Sequence, residues 1–295
     1  MPSTRLYVLI ARRADVAVIF RRGPAKQVLL LRWDLSNDTF EAGQWFKGRV
    51  YERSCDLSPT GDRLIYYAGK HRAPLYTWTA VSRPPFFTAV ALWEGFAPWG
   101  GGGLFARENE IHLHWGARSM LSNEGSIPKR VIVSRLPESR VMDPIFEKRM
   151  VRDGWTLTQA ATWHEDRKAW RRANPPEIWT RPHPRRPRTW ALQMRTVAMH
   201  ERQGPPLATE YMVVDKAGAI LTDLGRIDWA DWQSSGDLLY ARNGKIFRDR
   251  MQSPRDIVTT ARQLVDLSTL RFEPREPVSD ALQWSGPRPV GVPIR

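Results

Sequence analysis

Two stretches of fifteen residues decide the fold: Asp56–Lys70 reads DLSPTGDRLIYYAGK, and Asp231–Lys245 reads DWQSSGDLLYARNGK. Aligned without a gap, they share the opening Asp, a Gly-Asp pair, a leucine and the closing Gly-Lys. A shorter stretch, Leu104–Ile111 (LFARENEI), matches Leu239–Ile246 (LYARNGKI) at the same spacing. The chain therefore contains at least three copies of one short unit.

Each unit predicts a β-hairpin. Asp opens a turn that Ser-Pro-Thr-Gly or Gln-Ser-Ser-Gly closes, with Gly61 and Gly236 in the positive-φ conformation that glycine adopts readily. The run of leucine and tyrosine that follows is typical of a buried strand. In the second copy, Asn243-Gly244 then forms a preferred two-residue turn into the next strand.

Short β-type runs separated by Gly, Pro, Asn or Asp recur along the rest of the chain. Between the recognisable units, the candidate strands are Val131–Val133, Thr156–Trp163, Trp190–Met199 and Tyr211–Val214. Only Asp256–Leu267 (DIVTTARQLVDL) suggests a helix, and its Thr-Thr pair weakens that interpretation. The pattern predicts an all-β protein.

The spacing of the units predicts their number. An aromatic-Ala pair occurs at Tyr67-Ala68, Phe105-Ala106 and Tyr240-Ala241, in steps of 38 and 135 residues. A propeller blade takes about 40–45 residues, so two degenerate blades should lie between residues 120 and 215. We expect a single β-propeller over residues 1–285, with five blades of four antiparallel strands favoured and six allowed. Residues 286–295 (GPRPVGVPIR) would form a Pro-rich tail.

This prediction has specific consequences. Asp56 and Asp231 should occupy equivalent turn positions in two blades, and Tyr67, Phe105 and Tyr240 should be buried on equivalent strands. The alternative is a β-sandwich that contains two similar hairpins.

The segment DLSPTGDRLIYY, and more loosely DWQSSGDLLYARNGKIFR, resembles the WD40-like repeats of bacterial TolB-type propellers, whose blades carry a Ser-Pro-Asp-Gly-Lys-x-Leu core. Thr60 stands where that core has Asp, Asp62 stands where it has Lys, and the second copy lacks the Pro. The resemblance implies a bacterial cytoplasmic propeller that serves as a scaffold, sensor or inhibitor in a multi-protein system. By analogy, that system could be a defence or stress-response pathway.

Composition excludes several classes of protein. A chain of 295 residues with the single cysteine Cys55 has no disulfide framework and no cysteine-based zinc site. No run of residues is apolar enough to span a membrane, and the N-terminus lacks a secretion-signal pattern, so we expect a cytoplasmic protein. The net charge of +14, with Arg supplying 37 of 45 basic residues, is compatible with a nucleic-acid or acidic-protein partner. Arginines that a GC-rich genome scatters over a solvated surface would give the same charge, so composition alone does not identify a partner.

The sequence shows no catalytic constellation and indicates no cofactor. Gly100–Gly103 precedes a strand, so we interpret it as a turn and not as a phosphate loop, which needs a helix N-terminus. His112 and His114 alternate on a predicted strand, but no third metal ligand is indicated. Cys55 is interpreted as a buried thiol.

Residues 171–190 (RRANPPEIWTRPHPRRPRTW) form the strongest candidate for binding, with six arginines against one glutamate. Because proline disrupts a regular ladder, we expect an exposed, stiff loop between blades. The candidate partner-binding residues are Arg171, Arg172, Trp179, Arg181, His183, Arg185, Arg186, Arg188 and Trp190. An acidic protein surface is the favoured partner; nucleic acid, or neutralisation by the protein's own carboxylates, remains open.

These observations favour a non-catalytic interaction protein, because a propeller offers a rigid face and variable loops. The first alternative is a nucleic-acid-binding propeller that uses the Arg/Trp-rich segment. The second is a hydrolase or lyase with its site in the central channel.

Overall fold

A computed structural model describes residues 4–23, 26–95, 100–114, 127–137, 143–166, 170–199, 207–255 and 260–294. The chain divides into two compact units. Unit 1 comprises Met1–Arg149 together with Thr269–Arg295, and unit 2 comprises Met150–Ser268. Each unit has its own sheets.

The prediction of an all-β protein is confirmed. Within the described ranges, the chain forms 23 strands in five sheets, and the helix α1 (Pro144–Arg152) has nine residues. Among those same residues, no helix has the length and apolar character needed to cross a membrane.

The first sheet of unit 1 is completed by the C-terminal segment. Its order is β1-β2-β3-β4-β23. The strands are β1 (Arg5–Ile10), β2 (Val16–Arg22), β3 (Gln27–Asp34), β4 (Thr39–Lys47) and β23 (Val292–Ile294). Strand β23 belongs to the Pro-rich tail and pairs antiparallel with β4, with Ile294 opposite Phe40. The tail is therefore held as the outer strand of the N-terminal sheet.

Two further sheets complete unit 1. One has the order β5-β7-β8-β9, and β6 also pairs with β7. Its strands are β5 (Arg49–Val50), β6 (Asp56–Leu57), β7 (Leu64–Gly69), β8 (Thr77–Ser82) and β9 (Ala89–Gly95). The other contains β10 (Gly103–Arg107), β11 (Glu110–Leu113) and β12 (Ile132–Arg135), and its β11–β12 pairing is parallel. Every residue of β7 and β8 is buried, which is typical of strands covered on both faces.

Unit 2 contains two sheets. The larger has the order β13-β15-β16-β17-β18, and β14 also pairs with β15. Its strands are β13 (Thr156–Gln159), β14 (Trp163–Asp166), β15 (Trp170–Pro182), β16 (Trp190–Met199), β17 (Leu207–Asp215) and β18 (Ile220–Arg226). The smaller contains β19 (Trp229–Trp232), β20 (Leu238–Arg242), β21 (Lys245–Asp249) and β22 (Arg262–Asp266), paired in that order.

The two quoted stretches form similar hairpins, β6–β7 and β19–β20. Gly61 and Gly236 have φ angles of +80° and +91°, as predicted, and each amide donates to a carbonyl three residues earlier. Asp56 and Asp231, however, lie on the strands before these turns, and the expectation that they occupy turn positions is wrong. Each aspartate pairs across its hairpin, because β6 and β19 extend to the edge of the turn.

Tyr67 and Tyr240 are buried, as predicted, on the strands that follow the two similar turns, and the strand register shows which tyrosines hold the same position. Leu57 pairs with Leu64, whereas Trp232 pairs with Leu238, so the first turn is one residue longer. Counting along the strands from these pairs makes Tyr66 the counterpart of Tyr240. Tyr67 is therefore not that counterpart, although it is buried as expected. An alignment without a gap could not show this insertion.

The two-residue turn after the repeated strand is confirmed. Arg242 pairs with Lys245 around Asn243 and Gly244, whose φ angles are 53° and 76°. Positive φ at both central residues is the geometry of the preferred hairpin turn. In the third copy, Arg107 pairs with Glu110 around a turn of the same length.

The predicted helix is wrong for its second half, although Thr260 at its middle is helical. Residues 262–266 form β22, whose Val265 pairs with Ile246 and is buried; residues 256–259 lie outside the described residues. Pairing with β21 thus overrides the weak helical pattern. The α1 helix was not predicted from the sequence, although proline at its first position and the buried pair Ile145 and Phe146 are consistent with a helix start.

Candidate interaction surface

The Arg/Pro-rich segment is mainly a strand, and the prediction that residues 171–190 form a loop is wrong for most of its length. Residues 170–182 form β15, which pairs with β13, β14 and β16. The register with β16 shifts between Arg172 and Glu177, and Pro175 and Pro176 lie within that irregularity. Proline is tolerated there because a bulge does not need its missing N–H.

The hairpin turn between β15 and β16 holds most of the exposed residues of the segment. We call residues His183–Trp190 the arginine loop. The amide of His183 donates to the carbonyl of Trp190 at 2.9 Å, and the amide of Thr189 donates to the carbonyl of Arg186 at 3.0 Å. These bonds give the loop a defined backbone conformation, while Arg185, Arg186 and Arg188 are exposed.

The imidazole of His183 organises this loop from beneath. Its Nε2 donates to the carbonyl of Gly236 at 3.0 Å, and its Nδ1 accepts from the amides of Arg185 and Arg186 at 3.2 and 3.0 Å. This pattern assigns the neutral ring with the proton on Nε2, because Nδ1 must act as an acceptor. The side chain is buried and lies edge-on to Trp232, with ring centroids 4.9 Å apart. His183 therefore supports the loop and is not a contact residue.

We expect stability to fall with acidification through His183. Burial lowers the pKa of His183, and the charges of Arg186 and Arg185 lower it further, whereas the bond to Gly236 raises it. Its contribution is therefore complete above the unfolded pKa of about 6.5 and is lost as pH falls towards the lower folded pKa. Denaturant unfolding from about pH 7 to about pH 5 should show a smaller decline for His183→Gln than for the wild type. Equal declines would contradict this role.

The three exposed arginines are available for a partner. Within the part of the chain that the structure describes, Arg185, Arg186 and Arg188 form no ion pair with a carboxylate. The guanidinium of Arg186 lies over the half-buried ring of Trp190, 5.1 Å from its centroid. This stacking holds one arginine against the loop and leaves its N–H groups at the surface.

Two other predicted binding residues have structural roles. Trp179 is only 2% exposed, and its indole N–H donates to Glu177 at 3.0 Å. Arg181 forms an ion pair with Asp231, whose side chain is 16% exposed. Burial raises the pKa of Asp231, and the charge of Arg181 lowers it. Both residues stabilise unit 2 beside the loop.

The first two arginines of the segment lie on β15, away from the turn. Arg171 is half-buried and opposite Glu165, and Arg172 is exposed and opposite His164. The sheet therefore separates them along the strand from the arginine loop. The sequence analysis treated these arginines as part of one exposed loop, whereas the structure places them on a strand.

The remaining candidates from the sequence have local partners. His112 Nε2 lies 3.1 Å from Glu110 Oε1, and burial lowers the pKa of His114. Cys55 is a buried thiol as predicted; it donates to the carbonyl of Tyr51, and burial raises its pKa. Among the described residues, no group of three His, Cys, Asp or Glu side chains is placed to hold a metal ion.

The glycine run leads into strand β10, as predicted, with Gly100 in a bend. A Cβ at Gly101 would lie 2.0 Å from the ring of Tyr67, so glycine is needed for this close approach. The amide of Gly102 donates to Thr79 at 2.7 Å, and Gly103 begins the strand.

Comparison with known proteins adds no family to these observations. No protein-family model matches the chain, and no curated protein sequence matches it. The function is therefore proposed from the geometry of the arginine loop.

Proposed function

We propose that the protein is a non-catalytic interaction subunit whose arginine loop binds an acidic surface of another protein. The observation that carries the proposal is that one defined turn holds three exposed arginines, none of which forms an ion pair with a carboxylate in the described ranges. Guanidinium groups bind carboxylates bidentately, and arginine is enriched among the residues that dominate binding energy. Because His183 fixes the loop, little conformational entropy is lost on binding.

A protein partner is favoured over nucleic acid by the state of the aromatic rings. Binding of single-stranded nucleic acid uses exposed aromatic faces on which bases stack. In this segment Trp179 is buried, and the ring of Trp190 is contacted by Arg186 and, edge-on, by His183. Because no aromatic face in this segment is available for a base to stack on, the arginines fit a carboxylate-bearing protein surface better than a single-stranded nucleic acid.

We further propose that the sheets are blades of a single propeller of the WD40-like, TolB type, acting as a scaffold, sensor or inhibitor in the bacterial cytoplasm. Three features support this: five sheets in chain order, similar turns in the two hairpins, and pairing of the tail strand β23 with β4. The buried thiol Cys55 is compatible with a reducing compartment. Small-angle X-ray scattering that fits an open arrangement of the sheets would contradict the propeller.

Charge reversal of the loop tests the binding function. The variant Arg185→Glu, Arg186→Glu, Arg188→Glu should lose the protein that co-purifies with the wild type from its host. Its affinity for that isolated partner should fall by about 100-fold or more, as expected when central interface arginines are removed. Arg181 is left unchanged because a glutamate there would face Asp231. Calorimetric titration measures the affinity, and melting curves verify folding.

The control reverses an equal number of exposed basic residues in unit 1. The variant Lys70→Glu, Arg72→Glu, Arg107→Glu carries the same change in net charge and should bind the partner like the wild type. Retention of the partner by the loop variant would contradict the proposal. So would micromolar or tighter binding of the wild type to random-sequence RNA or DNA at about 150 mM salt, if the loop variant abolished it.

A further inference from the structure

Two arginines face each other in the interior of unit 1. Strands β7 and β8 pair with Ile65 opposite Val81 and Leu64 opposite Ser82. Continuing this register by one residue places Arg63 opposite Arg83, on the same face as Ile65 and Val81. Both arginines are buried, with 9% and 4% of their surface exposed. Like charges directly opposite each other are unfavourable, and burial makes them more so.

The C-terminal segment covers this pair. Trp284 is buried and packs in the same apolar cluster as Ile65 and Val81. The guanidinium of Arg63 lies over the indole, 5.2 Å from its centroid. Arg83 donates from its two Nη atoms to the carbonyls of Asp280 and Gly286, at 2.7 and 2.9 Å. Residues 280–286 therefore close over the two arginines.

Three donors in this cluster have no acceptor. Arg63 Nε, Arg83 Nε and Trp284 Nε1 are all buried, and none donates a hydrogen bond to any residue that the structure describes. Buried donors are almost always paired in native proteins. An indole N–H and a guanidinium can only donate, so each of these groups needs an acceptor.

One of the two arginines, Arg83, forms no direct ion pair with a carboxylate that the structure describes. Among the described carboxylates, Glu108 alone lies within ion-pair distance, with Oε1 3.0 Å from Arg63 Nη1. Asp62 and Asp280 act on Arg83 over a longer distance, and burial lowers the pKa of both arginines. Of the two buried guanidinium groups, that of Arg63 therefore has a direct ion pair and that of Arg83 does not.

We propose that Arg63, Arg83 and Trp284 form a binding site for a small oxyanion, with the chemistry of a phosphate or a carboxylate. Such an anion accepts from all three unpaired N–H groups and neutralises the second guanidinium. Because residues 280–286 supply both Trp284 and the carbonyls bound by Arg83, the anion ties the C-terminal segment to β7 and β8. The site lies in unit 1 and is independent of the arginine loop.

Titration with inorganic phosphate, sulfate and acetate at constant ionic strength tests this proposal. At about 10 mM anion, the melting temperature should rise saturably above that in chloride, because a ligand of the folded state stabilises it. In proton–nitrogen correlation spectra, the Trp284 Nε1–H signal, assigned by its loss in Trp284→Phe, should shift during the same titration. A response to phosphate alone indicates a phosphoryl ligand, and a response to acetate indicates a carboxylate.

The variant Trp284→Phe keeps an aromatic ring but removes one donor. Its affinity should fall by about tenfold or more, as expected for a lost hydrogen bond to a charged group. The triple glutamate variant of the arginine loop should bind the anion like the wild type, which separates this site from the proposed function. No saturable response to any of the three anions would show that water alone meets these donors and would overturn the proposal. Unchanged affinity in Trp284→Phe would also overturn it.

Discussion

Replacing Tyr240 with alanine is expected to lower the free energy of unfolding by about 3–5 kcal/mol, the range for truncation of a large buried aromatic residue. Tyr240 lies on β20 with 4% of its surface exposed. Its ring stacks on Phe247 of β21, with centroids 4.9 Å apart and planes inclined by 9°. Truncation would remove this contact and leave a cavity between β20 and β21. Denaturant unfolding measures the loss.

The matched control is Tyr76→Ala, because Tyr76 is 43% exposed and the chemical change is the same. Its cost should be clearly smaller than that of Tyr240→Ala, since Tyr76 buries less surface than Tyr240. If both variants lost the same stability, the buried position of Tyr240 would not be the cause. A wild-type-like unfolding curve for Tyr240→Ala would contradict its place in the core.

The hairpins could be predicted from the sequence because short-range chemistry determines them. Gly61 and Gly236 adopt positive φ, where residues with a Cβ are strained, and Asn243-Gly244 satisfies the same requirement at two adjacent positions. These constraints depend only on residues within four or five positions of each other in the sequence. The periodic turns and leucine- and tyrosine-rich strands therefore indicated the all-β class without knowledge of the pairing partners.

Strand β15 could not be predicted because its stability depends on pairing that local rules do not show. Pro175 and Pro176 appear incompatible with a ladder until the register shift against β16 is known. The strand β22 was missed for a related reason: its pairing with β21 outweighs its own weak propensity.

The candidate surface was predicted in part. Composition drew attention to the arginines, but it could not separate Arg185, Arg186 and Arg188 at the turn from Arg181, which pairs with Asp231. Nothing in the sequence indicated that Arg63, Arg83 and Trp284 lie close together. The register of β7 and β8 places the first two opposite each other, and the third comes from a segment 201 residues after Arg83.

Replacing Gly236 with valine is the second change with a large expected effect, a loss of about 3–5 kcal/mol from strain at positive φ together with overpacking. Gly236 has a φ of +91°, and a Cβ there would lie 2.7 Å from Cε1 of His183. His183 in turn binds the carbonyl of Gly236 and the amides of Arg185 and Arg186. The substitution should therefore displace the imidazole, disturb the arginine loop and weaken partner binding in addition to stability.

Gly218 provides the control that separates strain from overpacking. It has a φ of +84° in the turn between β17 and β18, but a Cβ there would meet nothing within 4 Å. Gly218→Val should thus show the backbone strain alone, about 1–2 kcal/mol, and bind the partner normally. Combining Gly236→Val with His183→Ala should recover part of the excess cost, because the ring that clashes is gone, but should not restore binding. Equal losses of stability in the two valine variants would contradict the contact between Gly236 and His183, and with it the mechanism by which this turn holds the arginine loop in place.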